Sequence, residues 1–434
     1  MKKLIFNLLG YNTLEARKVL HQSKLFDYND YKLWKDKKIW KIYEYHMSRN
    51  SFYKSICINK VSNWEDIPII TKKDFQTNLK SILSNGFNTN NTYIANTSGS
   101  SGEPFWYAKD KPCHAIAWEY ISQKYSELSE QKTYVEARFF GSVRKGINLK
   151  IKNKLKDFIL NRVCFDVFDQ SIPYLNKIKQ TFEKIPFTFA YGYTNSISLF
   201  AEYLKENTNK SLKDICPSLK FVLLTAEMCT QEMREELERV MGVPVYREYG
   251  SSETSIIAIE DKSYNWNIAT ERLYLEIVNE YGTPVPYGQR GRILLTDLNN
   301  LAMPFIRYDI GDIGSICQIN EPPFFILKSL DGRTSDTIYM PGNKRLPGLA
   351  FYYITRSLIE DGKSIDKFII IQKDINQFVL EYIADQELES SLKSDIIEES
   401  ERYLNYRAKF TFKRVNVIQK HESGKTQHFF SEIN

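Results

Sequence analysis

Hydrophobic and polar positions fall into two rhythms along this chain. Residues 1–60 look helical and charged, with many Lys, Tyr and Leu. In Ile67-Pro68-Ile69-Ile70-Thr71-Lys72, Pro68 fixes an extended segment and Thr71 is placed to cap a helix starting near Lys72. Residues 92–95 have the aromatic and β-branched character of a strand. Over 112–130, Ile116, Trp118, Ile121 and Tyr125 recur at helical spacing, and 135–140 reads as a strand. From about 185 strand and helix alternate. The pattern gives a strand at 187–191, a turn at Gly192, a helix at 195–203 and a strand at 219–224. A turn at Thr225-Ala226-Glu227 follows, then a helix at 230–241 ended by Gly242, a strand at 243–247 and a loop at 249–254. That alternation predicts a parallel sheet with ligands at the carboxyl ends of its strands. Short β-like runs at 273–278, 291–297, 305–308 and 314–318, separated by Gly and Pro, predict an antiparallel sheet or distorted barrel. Beyond Asp331 the pattern becomes mixed again. The expected architecture is α/β: a large N-terminal domain, 1–331, of α/β sheet subdomains plus a distorted β-barrel, and a small, mobile α+β C-terminal domain, 332–434.

Length and composition agree with a large folded protein. The 434 residues exceed one ordinary domain, and 42% hydrophobic with 14% aromatic residues supplies a core and argues against disorder. Lys and Arg (59) exceed Asp and Glu (53) only mildly. This suits a polyanionic small ligand without calling for nucleic acid. None of the six cysteines has Cys-x-x-Cys spacing, which leaves no zinc knuckle or redox pair and suggests a reducing cytosol. Met1–Gly10 imitates the start of a signal peptide, but its apolar run is broken by Asn7 and no small-residue cleavage site follows. The expectation is a cytoplasmic protein without stable membrane insertion, whose N-terminal helix packs on the body or on a second subunit in a homodimer. The basic stretch 144–162 fits either a solvated helix face or contact with an anionic acceptor, coenzyme or lipid surface.

Candidate chemistry starts at Asn96-Thr97-Ser98-Gly99-Ser100-Ser101-Gly102-Glu103-Pro104. Small residues, two glycines and clustered hydroxyls let main-chain N–H groups and side chains converge on an anion, with phosphate the obvious candidate. A flexible Ser/Gly linker has the same composition. In Tyr249-Gly250-Ser251-Ser252-Glu253 an aromatic suited to stacking on a purine precedes a carboxylate suited to Mg²⁺. In Arg307-Tyr308-Asp309-Ile310-Gly311-Asp312 two acids flank a glycine, and a carboxylate there can accept both hydrogen bonds of a ribose diol. Arg333 has the fork that reaches phosphate or ribose. Gly424-Lys425-Thr426 resembles the end of a P-loop, but the glycine required five positions before Gly424 is Gln419.

In this order, the stretches resemble the adenylate-forming superfamily, and within it the phenylacetate–coenzyme A ligase branch, which includes capsular polysaccharide biosynthesis and coenzyme F390 synthetase-like proteins. Thr97, Ser98, Gly99, Ser100, Ser101 and Gly102 look like the family's phosphate loop. Ala226 and Glu227, with Tyr249, Gly250, Ser251, Ser252 and Glu253, look like its adenine and magnesium motifs. Asp312 looks like the ribose carboxylate, Arg333 like the hinge-motif arginine and Lys425 like the C-terminal catalytic lysine. Tyr191 and Tyr193 lie where relatives build the acid pocket. The sequence departs from many relatives at Phe105, where a lysine follows the loop proline, and at Ser335, where an aspartate follows the hinge arginine.

The resemblance implies a two-step ligase using ATP and Mg²⁺. A small carboxylic acid would attack the α-phosphorus to give acyl-AMP and pyrophosphate, and coenzyme A or an amine would then displace AMP. Lys425 and Glu253 would be catalytic, with Glu253 as the metal ligand. Two alternatives stay open: a non-catalytic nucleotide-binding or assembly protein on the same fold, and an acyl-protein synthetase.

Overall fold

Side-chain caps mark the helix starts at the beginning of the chain. The structure is a computed structural model. It describes residues 2–433 apart from 24, 97–104, 141–146, 168, 170, 228, 334–336, 344, 348–364, 366, 405 and 419–428. The first helices are α1 (Lys2–Leu8), α2 (Thr13–Ser23), α3 (Tyr28–Arg49), α4 (Ser51–Ile56) and α5 (Leu79–Ile82). Asp27 and Asn50 accept from the third amide beyond them and so open α3 and α4. The helix expected after Thr71 is a single 3₁₀ turn, Lys72–Phe75, closed by hydrogen bonds from the Thr71 amide and hydroxyl to Asp74. It ends where Phe75 turns inward to stack on Phe105, ring centroids 5.3 Å apart. Strands β1 (Thr92–Asn96) and β2 (Trp106–Asp110) pair antiparallel, with Asn96 opposite Trp106. The strands flanking 97–104 therefore lie side by side, and that stretch itself falls outside the described residues. Asp110 then caps α6 (Lys111–Ser129) through the Cys113 amide.

The largest sheet among the described residues has 11 strands. Its strands are β3 (Glu136–Phe139), β4 (Arg162–Phe165), β5 (Phe189–Tyr193), β6 (Phe221–Thr225), β7 (Val245–Ser251), β8 (Ser255–Glu260), β9 (Trp266–Ile268), β10 (Leu273–Val278), β11 (Gly291–Asp297), β12 (Tyr308–Gln318) and β13 (Phe325–Arg333). The order is β10-β11-β12-β13-β9-β8-β7-β6-β5-β3-β4. Neighbours from β4 to β7 run parallel, and β7–β8, β8–β9, β9–β13 and β10–β11 run antiparallel. The strands expected to build a barrel thus continue the parallel sheet in series.

Three local expectations change. Gly192 lies inside β5 rather than in a turn, because a Cβ there would stand 2.5 Å from both Cβ and the carbonyl oxygen of Phe139 on β3. Strand β7 runs through Tyr249 to Ser251, beyond the expected loop start, with a register shift between Tyr249 and Gly250. The separate runs at 305–308 and 314–318 give way to the single strand β12, which absorbs Gly311 at φ +82°.

Helices α7 (Ile147–Leu160), α8 (Ile172–Lys184), α9 (Thr194–Asn207), α10 (Leu212–Ile215) and α11 (Gln231–Met241) alternate with the parallel strands. Alternation splits each strand between two faces. Ala137, Phe139, Ala190, Val222, Leu224 and Val245 pack against Leu175, Phe182, Phe200 and Leu237 of α8, α9 and α11. Phe189 and Tyr191 instead face α6, where Tyr125 lies 5.1 and 5.9 Å from their rings. A second core joins α3, α4 and β2 to Met303, Phe305, Ile306 and Tyr308.

The chain divides into two compact units, 1–310 with 315–329, and 311–314 with 330–434. The smaller unit contains the pair β14 (Thr337–Tyr339) and β15 (Arg345–Pro347). Its main sheet has the order β18-β17-β16-β19, formed by β16 (Lys367–Asp374), β17 (Gln377–Ile383), β18 (Lys409–Arg414) and β19 (Phe429–Ser431). Helix α12 (Ser390–Leu404) packs Ile396 and Leu404 onto Phe368, Ile370, Phe378 and Leu380. No helix among the described residues is long and apolar enough to cross a membrane.

Candidate active site

Register places three expected stretches side by side. Tyr193 of β5 is opposite Thr225 of β6, and Thr225 is opposite Glu248 of β7. Tyr191 and Tyr193, Ala226 and Glu227, and Tyr249 to Glu253 therefore meet at the carboxyl ends of adjacent strands, where parallel sheets bind ligands. Ala226 has φ +70° as the chain leaves β6. Glu227 ties that exit to the neighbouring helix. Its carboxylate accepts from the Asn195 amide (2.8 Å) and its carbonyl from Thr194 Oγ1 (3.2 Å), at the N-terminus of α9, where negative charge is favoured.

The Glu253 turn is tightly specified. A Cβ on Gly250 would stand 2.6 Å from the Ser255 carbonyl oxygen, so only glycine fits the crossing from β7 to β8. Ser251 Oγ accepts from the Thr254 amide at 3.1 Å. Glu253 is buried, and its Oε1 accepts from the Tyr308 hydroxyl at 2.9 Å. Two buried cations meet the same turn. Lys109 Nζ donates to Ser255 Oγ (2.7 Å) and lies 3.5 Å from the Ser252 carbonyl oxygen; Arg272 Nη1 donates to the Thr254 carbonyl (2.7 Å). Burial, above all, pushes the Lys109 ammonium down to about 8.

Tyr308 is held by its surroundings. Arg307, only 1% exposed, takes φ +45° and donates to the carbonyls of Glu65, Ile67 and Gly282, while its Nε lies 3.2 Å from Glu276. Asp309 pairs with Arg292 at 2.8 Å. Asp312 is buried in β12 and belongs to the 311–314 segment of the smaller unit. Arg333 is the last residue of β13.

Beside the turn lies a buried polar cluster on the α6 face of the sheet. Glu248 accepts from Tyr191 (2.9 Å) and Tyr125 (3.1 Å), and Arg138 pairs with Glu136 (3.0 Å) while lying over the Tyr191 ring. Burial raises the Glu248 carboxyl to about 7, opposed by its tyrosine hydrogen bonds and by Arg138. Tyr191 thus has its hydroxyl engaged on Glu248. Tyr193 is half-buried, 4.7 Å from the Phe140 ring.

Thr97, Ser98, Gly99, Ser100, Ser101, Gly102 and Lys425 lie outside the described residues. Lys109, Arg272, Glu248 and Arg138 carried no role in the sequence reading, and Tyr308 appeared there only as a neighbour of Asp312. Residues 109 and 255 are brought together solely by the fold. The one signal available was the charged pair Lys109-Asp110 ending a strand whose other buried positions, Tyr107 and Ala108, are apolar. No group of three or more His, Cys, Asp and Glu among the described residues could hold a metal. Glu253 supplies a single carboxylate. That fits Mg²⁺, which is usually bound through one or two carboxylates together with substrate phosphates and water.

The chain matches the family described as AMP-binding enzyme over residues 160–303, and the CapK C-terminal domain over 351–432. It is 32% identical over 135 residues to phenylacetate-coenzyme A ligase of Escherichia coli (strain K12), a match covering 30% of this chain and 31% of that one. The chain therefore spans about a third of the length of that curated relative. Protein CapK of Staphylococcus aureus matches at 22% identity over 467 residues, 100% of this chain and 97% of that one. In fold, the structure of 2-hydroxyisobutyryl-CoA ligase in the postadenylation state with 2-HIB-AMP superposes with a TM-score of 0.69 at 14% identity, covering 95% of this chain and 92% of that one. Together these matches support a place in the adenylate-forming superfamily, on its phenylacetate–coenzyme A ligase-like and CapK-like side.

Proposed function

We propose that this protein activates a carboxylic acid as its acyl adenylate, releasing pyrophosphate, and transfers the acyl group to coenzyme A or to an amine. The observation that carries this reading is Glu253, held by Tyr308 in a turn at the carboxyl end of β7 beside the exit of β6. Adenylation brings two anions together, so it needs fixed donors and positive charge more than a general base. Ser98 to Gly102 hold the β- and γ-phosphates, Tyr249 stacks on adenine, Asp312 binds the ribose hydroxyls and Arg333 secures ribose and phosphate. Bound Mg²⁺ would neutralise developing phosphate charge, with Glu253 as its protein ligand. Lys425 bridges the substrate carboxylate and the α-phosphate. In this reading 332–434 is the mobile catalytic-lysine domain, and the protein works in the cytoplasm. The capsule-associated relatives of the branch, with the full-length likeness to Protein CapK, raise by analogy the option of an amine acceptor used in surface polysaccharide.

The test is pyrophosphate release screened over aryl, fatty, hydroxy and amino acids, with and without coenzyme A, followed by product mass. An ATP-dependent thioester or amide, formed with release of AMP, is expected. No pyrophosphate with any acid would leave a nucleotide-binding protein without catalysis; acyl mass on the protein itself would make it an acyl-protein synthetase.

A further inference from the structure

The Glu253 turn has two cationic partners that no part of the reaction uses. Both are inside the protein: Lys109 is 2% exposed and Arg272 is 3% exposed. Burying an ammonium and a guanidinium in one place is costly unless each is hydrogen-bonded. Here their acceptors are concentrated on three residues of one four-residue span, 252–255. Lys109 takes the Ser255 hydroxyl and lies near the Ser252 carbonyl, and Arg272 takes the Thr254 carbonyl with both terminal nitrogens. Glu253 sits between those residues, so the backbone on both sides of it is tied inward. Its carboxylate is held separately, by Tyr308. The two cations come from different places. Lys109 is on β2, five residues beyond Pro104, and Arg272 lies just ahead of β10.

We propose that Lys109 and Arg272 are positioning residues that clamp the 251–255 turn, presenting the Glu253 carboxylate to a nucleotide-bound divalent cation before the nucleotide arrives. The metal-binding part rests on the adenylation reading above; the clamp itself does not. Because Lys109 belongs to the strand that leaves the 97–104 stretch, the clamp links the expected phosphate-binding residues to the expected metal ligand through one covalent segment. Positive charge held near the turn also offsets the negative charge of Glu253 while no cation is bound.

Two measurements on the full chain separate the parts. The first is amide hydrogen exchange of the 248–256 peptide without ligand, for wild type, Lys109→Met and Ser255→Ala. About tenfold faster exchange is expected in both variants, confined to that peptide, as follows from losing a charged hydrogen bond. The second is Mn²⁺ binding in the presence of ATP, read by loss of the free-ion EPR signal, with Glu253→Gln as control. Lys109→Met is expected to weaken Mn²⁺ binding about tenfold. Unchanged exchange in Lys109→Met overturns the clamp whatever the nucleotide does. Faster exchange with Mn²⁺ binding intact overturns its role toward the metal. Faster exchange in a protein whose Mn²⁺ binding ignores Glu253→Gln overturns the metal-ligand reading and leaves the clamp a purely structural device.

Discussion

The Tyr308 hydroxyl donates to the Glu253 carboxylate at 2.9 Å in the protein interior, joining stretches 55 residues apart. Tyr308→Phe removes a single oxygen, and with it the hydroxyl donor, and keeps the ring in its cluster with Phe75 and Phe305. A buried carboxylate oxygen then lacks its donor, at a cost of about 1–3 kcal/mol. ATP–pyrophosphate exchange should fall by about tenfold to a hundredfold, with a rise in the Mg²⁺ concentration needed for half-maximal rate. Magnesium titration of the variant checks this; an unchanged curve would separate Tyr308 from the metal.

Lys425→Ala should abolish ATP–pyrophosphate exchange while largely sparing transfer from a preformed acyl adenylate. The lysine is expected to act only while carboxylate and α-phosphate react. Exchange at the wild-type rate would make Lys425 an ordinary tail lysine.

Glu248 predicts a pH dependence of stability. Burial among Tyr191, Tyr125, Glu136 and Arg138 raises its carboxyl from 4.5 to about 7. Between those values the folded protein holds a proton that the unfolded chain has released. The contribution is therefore full below about pH 4.5 and is lost as pH rises through 7, and its size is on the order of 3 kcal/mol. Glu248→Gln imitates the protonated form. Urea unfolding at pH 5 and pH 7.5 should show wild type losing more stability than the variant across that interval; parallel losses would place the titration elsewhere.

Gly192→Ala tests the packing behind the site. Its Cβ would meet Phe139 backbone and Cβ at 2.5 Å, and neither β3 nor β5 can retreat without breaking parallel pairing. Destabilisation of about 1–3 kcal/mol is expected, read as a lower urea midpoint at unchanged slope. A midpoint equal to wild type would mean that the two strands separate easily.

What was legible in the sequence was whatever local rules decide. Helix α11 shows a Thr230 cap, a strong amphipathic stripe and Gly242 at φ +69°, and its expected limits match the structure closely. Strand β4 was hidden, because its four residues follow directly on the basic helix α7 and offer no alternation of their own. Gly192 misled because the same residue serves a turn and a close strand approach, and only the position of Phe139 distinguishes them. In the candidate site, the run Tyr249–Glu253 could be picked out because its residues are contiguous. Lys109, Arg272 and Tyr308 could not, since what gives them a role is proximity created by sheet order.

The β7–β8 turn gives the sheet something like a reading frame. Six strands, β8, β9, β13, β12, β11 and β10, hang in series beyond it. A one-residue slip in the pairing of β7 with β8 would exchange the two faces of β8 and pass the error along its neighbours. Glu253 and that half of the sheet can therefore change only as a block. The parallel half is spliced from helix-linked units, each able to vary without shifting the frame.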